Sequence, residues 1–517
     1  MALLDYTFPP EGRWPDPKVM IDELHQYGTR LVLWQNPVIK FVEEREQLDD
    51  TLNQADQAYA TEHGYVVLKA DGTPHRVEAH MPWFCNSLVL DFTNSEAADW
   101  WFKKREYLVT ELGVDGFKTD GGEHLWDNET RFSNGMRGYT GINYYPLAYE
   151  ATYDRYMEKH RKRDFVLFSR AGYTGAQLYP CHWAGDENST WDAYRATLRA
   201  LFNAGLSGFP FVGWDIAGFA GPLPSSDLYL RATAFSVFCP IMQYHSDVNH
   251  QRLPSRDRTP WNIQQQTGNM NVISIFRDYA NLRMNLLPYL LSQAQISSKS
   301  GLPLMWTLSL VYPQDFTCRD YPYEYFFGDS LLVAPVVEEA VTDWPVYLPE
   351  GEWRDLWTGE ILSGPVELKV MTPYERIPVY QKIGSILPLN LEKSGRLCSP
   401  VGNSTKTYQN LTLQIFPGGS FESSIVFNPD SEAFVVKVET NSQENETTIT
   451  LPAFNQELFL AVIGKEPKSI RVNGTEYPRL TVDEYKAQKT GWCWDGQNPG
   501  TRVRLSAQTQ TLKLVIR

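Results

Sequence analysis

The sequence predicts a parallel α/β barrel that runs into an all-β C-terminal region. Strand-like and helix-like stretches alternate over roughly the first 300 residues, and polar residues sit just past the strand ends. After about Tyr325 the texture changes to short alternating strands separated by Pro-Gly and Asp-Gly turns, with little helix.

The alternation can be followed element by element. Asp16-Pro17 opens a helix with a cap residue and then a proline at the first helical position, where its missing N–H costs nothing. Met20, Leu24 and Tyr27 recur at helical spacing, and Gly28 ends the helix. The run Arg30-Leu31-Val32-Leu33-Trp34 reads as a buried parallel strand. A helix over 95–112 then precedes a strand over 115–119, and a helix near 148–160 precedes a strand over 165–169. A helix over 192–203 precedes a strand over 208–214, followed by a helix near 226–235 and a strand near 304–308. Asn36, Asp120, Arg170 and Asp215 stand just past strand ends, the active-site positions of a (β/α)8 barrel. A polar stretch over 392–410 reads as a linker. The expected organisation is a barrel over 1–325, a proximal β-sandwich over 326–392 and a distal one over 393–517.

Composition narrows the function. The 517 residues hold 47 basic and 62 acidic side chains, and a net charge of −15 repels nucleic acid and anionic membrane surfaces. No apolar run of about 18 residues is present to span a membrane, and the first residues lack the pattern of a signal peptide. Sequons at Asn128, Asn188, Asn403, Asn410, Asn445 and Asn473 lean towards a secretory route without deciding the compartment. The scattered cysteines point to neither a zinc site nor a disulfide scaffold. Trp, Tyr and Phe make up 13% of the chain, which suits stacking on sugars or the filling of a large core.

Two stretches can carry chemistry together. In GVDGFKTDGGEHLW, residues 113–126, an apolar strand ends in Lys118-Thr119-Asp120 and two glycines, which exposes the acid in a pocket. Lys118 shares a strand face with Asp120, and an ammonium there favours the ionised carboxylate that a nucleophile requires. A structural ion pair explains the same residues. In SRAGYTGAQLYPCHWAGDENSTW, residues 169–191, Arg170 ends a strand and Asp186 lies in a loop beside His182 and Trp183. An aromatic that desolvates a carboxyl keeps it protonated, as a general acid must be. A calcium loop using Asp186, Asn188 and Asp192 fits less well, because the glycine and terminal Glu of such loops are missing. The stretches 208–219 and 240–246 add Trp214, Asp215 and His245. Two carboxylates in opposed settings, flanked by Arg, His and Trp, suit acid-assisted cleavage of a glycosidic bond.

Taken in order, these motifs resemble glycoside hydrolase family 31, as do FPPEGRWPDPKVMIDELHQYGTRLVLWQNP, DFTNSEAADWW and GDSLLVAPVV. The resemblance implies a (β/α)8 barrel followed by two β-sandwiches. It also implies that Asp120 attacks the anomeric carbon while Asp186 protonates the leaving oxygen, with the carboxyls about 5–5.5 Å apart and retention of configuration. Arg170 and His245 would bind sugar hydroxyls, Trp34, Trp183 and Trp214 would wall the sugar, and Asp215 would support the site; Lys118 is counted with these as a substrate-binding candidate. No metal or cofactor is implied. The implied substrate is an oligosaccharide or other α-glycoside, with terminal α-glucose removed. An α-xylosidase or an α-glucosyl or isomaltosyl transferase is the alternative within the family. Gly121 stands where many α-xylosidases of the family carry an aromatic residue, which leaves room for a hexose CH2OH group. Family members place a β-sandwich and two barrel strands ahead of the strand that ends here at Trp34. The barrel is therefore expected to be N-terminally incomplete, with an N-terminal segment or partner subunit completing the pocket. A non-catalytic sugar-binding or partner subunit is the reading of another class.

Overall fold

The computed structural model describes residues 6–12, 14–43, 49–78, 84–179, 181–245, 255–408, 410–427, 429–487, 489–494, 496 and 500–517. The chain folds as two compact units, Met1–Gly185 and Asp186–Arg517.

In the first unit, the helix Pro17–Gln26 begins where the sequence places it. Asp16 accepts from the Val19 N–H at 3.1 Å, which satisfies a donor with no partner inside the helix. The strand Val32–Gln35 pairs in parallel with Gly116–Thr119, which pairs with Val166–Ser169, and Cys181–Trp183 follows beside it. Gln35 stands opposite Thr119, Thr119 opposite Ser169, and Ser169 opposite His182. This register brings Asn36, Asp120 and Arg170 into one row at the carboxyl ends of their strands. Asp115, at the foot of its strand, is structural: Arg161 and His25 each reach it at 2.7 Å, and the Leu31 N–H donates to it at 2.9 Å.

Aromatics fill much of this unit's core. Phe92 packs within 5.0–6.1 Å, centroid to centroid, of Trp101, Tyr149 and Tyr153. The two tyrosines come from a helix, Gly138–Arg161, that starts earlier than its periodicity indicates and runs through Pro146. The helix expected over 95–112 breaks into Ser95–Lys103 and Glu106–Thr110. At the break, buried Arg105 donates to Gln35 at 2.7 Å and lies over the Trp101 ring at 3.4 Å.

The second unit opens with the helix Trp191–Leu206, the strand Phe211–Gly213 and the helix Ser226–Ser236. Three helices follow that the apolar pattern does not announce: Pro260–Thr267, Val272–Asn285 and Leu287–Ser300. The strand near 304–308 is present as Met305–Thr307, but it does not continue the α/β alternation. It pairs antiparallel with Tyr325–Phe327 and so belongs to a six-stranded β-sheet. Ser385–Leu391 pairs across the polar linker with Asn410–Phe416 in a separate five-stranded sheet. That sheet and another six-stranded one enclose a core that includes Leu413, Ile415, Val436, Val438 and Ile449. Among the described residues no helix is long and apolar enough to cross a membrane, and no cluster of His, Cys, Asp and Glu could hold a metal ion.

Candidate active site

The site is built at the strand ends of the first unit. The Asp120 backbone N–H donates to the Gln35 carbonyl at 2.9 Å, extending the sheet by one bond past the strand end. Three donors hold its carboxylate. The Trp34 indole N–H donates to Oδ2 at 2.7 Å, the Gly121 N–H donates to Oδ1 at 2.7 Å, and Arg170 Nη1 lies 3.0 Å from Oδ1. The other arm of the Arg170 guanidinium, Nη2, pairs with Glu123. A planar fork shared by two carboxylates fixes both of them. Burial pushes the Glu123 carboxyl up, against the pull of Arg170.

Trp34 was expected as an apolar wall, but the structure also makes it a hydrogen-bond donor to Asp120. Arg170, expected on sugar hydroxyls, holds the two carboxylates. Lys118 lies over the Trp183 ring, with Nζ 4.1 Å from the centroid. His182 meets buried Glu150 at 3.5 Å, and burial pushes the Glu150 carboxyl up.

Gly121 corrects the sequence reading. Its φ of +75° is left-handed, and a Cβ there would lie 2.6 Å from both Asn36 Nδ2 and His124 Cε1. The space beside it belongs to those two side chains and is not room for a sugar. Asn36 and His124 are each 1% exposed. Burial, and then the charge of Arg170, holds the His124 imidazole down to about 4, so it is neutral at pH 7.

In the second unit, Asp186 stands exposed before a segment stitched to the loop beyond Asp215. The Phe219 and Ala220 N–H groups donate to the Glu187 carbonyl at 2.7 and 2.9 Å. Asp215 is fully buried and accepts from the Gln243 side chain at 2.8 Å. His245 packs its ring 5.0 Å from Phe219. Trp214 is not a wall of the pocket. It is 1% exposed, stacks on Tyr194 and donates to Ser236 at 2.9 Å, so the hydrophobic core claims it.

Glu123 and His124 are absent from the expected site residues, although both lie inside the motif that marks Asp120.

Residues 2–293 match the glycosyl hydrolases family 31 TIM-barrel domain, and residues 301–387 match that family's C-terminal domain. The chain belongs to glycoside hydrolase family 31. Within the family it is 39% identical to the isomaltosyltransferase of Sporosarcina globispora, over 100% of this chain and 47% of that protein. It is 45% identical to the 1,3-alpha-isomaltosidase of Kribbella flavida, over 73% of this chain and 51% of that one. The solved cycloalternan-forming enzyme of Listeria monocytogenes, in complex with a pentasaccharide substrate, superposes with a TM-score of 0.92 at 38% identity. That match covers 98% of this chain and 47% of the other. The chain spans about half the length of the relatives it matches.

Proposed function

We propose that this chain carries the catalytic machinery of a retaining enzyme that processes α-glucosyl oligosaccharides, transferring isomaltosyl units to another sugar or to water. The observation that carries the reading is the triple hold on Asp120 by Trp34, Gly121 and Arg170. A carboxylate that must meet an anomeric carbon benefits from being fixed before substrate arrives, because orientation lowers the barrier.

In this mechanism Asp120 attacks the anomeric carbon as the glycosidic C–O bond breaks. Asp186 gives its proton to the departing oxygen. The ester on Asp120 is then opened by water or by a sugar hydroxyl, whose proton passes to Asp186, so configuration is retained. Glucose-based substrates rank ahead of xylosides because two relatives at 39% and 45% identity are named for isomaltosyl chemistry. Gly121 no longer supports that ranking.

The test is to trap the complete protein with a 5-fluoro-α-glucosyl fluoride and map the labelled peptide, then follow isomalto-oligosaccharide products by NMR. A label on Asp120 and α-configured products are expected. A label elsewhere, or β-configured first products, would sink the mechanism. Glucose released one unit at a time, with no disaccharide unit moved, would return the reading to a simple exo-α-glucosidase.

A further inference from the structure

One buried cation ties together the backbone around the proposed acid/base. Arg258 is 0% exposed. Its Nε and Nη2 donate to the Ser189 hydroxyl at 3.1 and 3.0 Å, and Nη2 also reaches the carbonyls of Ala220, Gly221 and Pro222 at 3.0–3.3 Å. Nη1 donates to the Arg256 carbonyl at 3.1 Å. The Ser189 N–H in turn donates to the Ala220 carbonyl at 3.2 Å. Gly218 closes the knot: its φ is +98°, and a Cβ there would lie 2.7 Å from the Asn188 carbonyl carbon and the Ser189 nitrogen. Arg258 is itself held in place, since it directly precedes Thr259, which caps the helix Pro260–Thr267 by accepting from Asn262.

A planar guanidinium gathers several acceptors at fixed angles, whereas a lysine ammonium cannot reproduce that fork. We infer that Arg258 is a positioning residue for proton transfer: by fixing Ser189 against the 220–222 backbone, it sets where the neighbouring Asp186 presents its carboxyl. The same contacts fix the loop that leaves Asp215. This inference rests on Asp186 being the acid/base.

The experiment compares Arg258→Ala, Arg258→Lys, Ser189→Ala and Asp186→Ala in the complete protein, using aryl α-glucosides of graded leaving-group ability. General acid help matters most when the leaving group is poor. Arg258→Ala should therefore lose on the order of 100-fold in kcat/KM for a poor leaving group and only a few-fold for dinitrophenolate. Arg258→Lys should fall between Arg258→Ala and the unaltered protein. Ser189→Ala, which deletes a single hydroxyl, should show the same graded pattern more weakly and keeps the test open if Arg258→Ala does not fold. An equal loss across all leaving groups in the Arg258 and Ser189 variants would reduce Arg258 to a structural residue. A flat profile for Asp186→Ala would instead mean that the acid/base assignment is wrong.

Discussion

The indole N–H of Trp34 donates to Oδ2 of Asp120 across 2.7 Å, from the end of one parallel strand to the end of its neighbour. The bond makes Trp34 part of the electrostatic setting of the carboxylate. Trp34→Phe keeps the ring and deletes the donor. A hydrogen bond to a charged group contributes about 1.5–3 kcal/mol, so kcat should fall about 10- to 100-fold with KM little changed. Steady-state kinetics checks this, and a raised KM with intact kcat would leave Trp34 as a wall alone.

Arg170 divides its fork between Asp120 and Glu123. A lysine carries the charge but cannot bridge both, so Arg170→Lys should cost on the order of 100-fold or more in kcat/KM. Because burial already pushes the Glu123 carboxyl up, Glu123→Gln should be milder, roughly 10-fold. Equal losses in the two variants would contradict this ordering.

The contact of Asn36 and His124 with Gly121 makes a coupled prediction. Gly121→Ala meets a left-handed φ costing about 1–2 kcal/mol and an overlap costing about 1–3 kcal/mol more. Adding Asn36→Ala should recover part of the second cost and none of the first. Urea titrations of both single variants and the double variant measure the coupling, and strict additivity would mean that the two side chains do not compete for space.

His124 should leave a mark on the pH dependence of stability. Its folded-state value is held down from 6.5 to about 4, so between those values the unfolded chain binds a proton that the folded chain does not. Stability is thus intact above about pH 6.5, declines as pH falls towards 4 and levels off below, with about 3 kcal/mol lost in all. Glu123 and Glu150, both pushed up by burial, act in the opposite direction. The clean readout is therefore the difference between the native protein and His124→Asn, measured by urea unfolding at pH 7 and pH 5. A difference that does not change with pH would refute a neutral, buried imidazole.

Asp120 was legible because a parallel strand ending in an acid and two glycines is a local pattern. The partners of Asp120 were not legible. Period-two alternation tells which face Trp34 and Lys118 occupy, but the register between strands, set by tertiary pairing, decides which group reaches the carboxylate. Trp214 is a pocket wall only by what the family resemblance implies, and the packing of Tyr194 and Ser236 around it shows that it is core. Arg258 was invisible because a lone arginine in a polar stretch is ordinarily at the surface. Met305–Thr307 reads as one more barrel strand because three residues cannot disclose which sheet they will join.

The crowding around Gly121 bears on the order in which substitutions at this corner of the chain can accumulate. A bulky residue at 121 is not reachable by a single step from this sequence, because Asn36 and His124 already hold the space and the backbone disfavours any side chain. His124 or Asn36 has to shrink first. Substitutions here therefore have an order, and a laboratory lineage that comes to carry a side chain at 121 should acquire its change at 36 or 124 first.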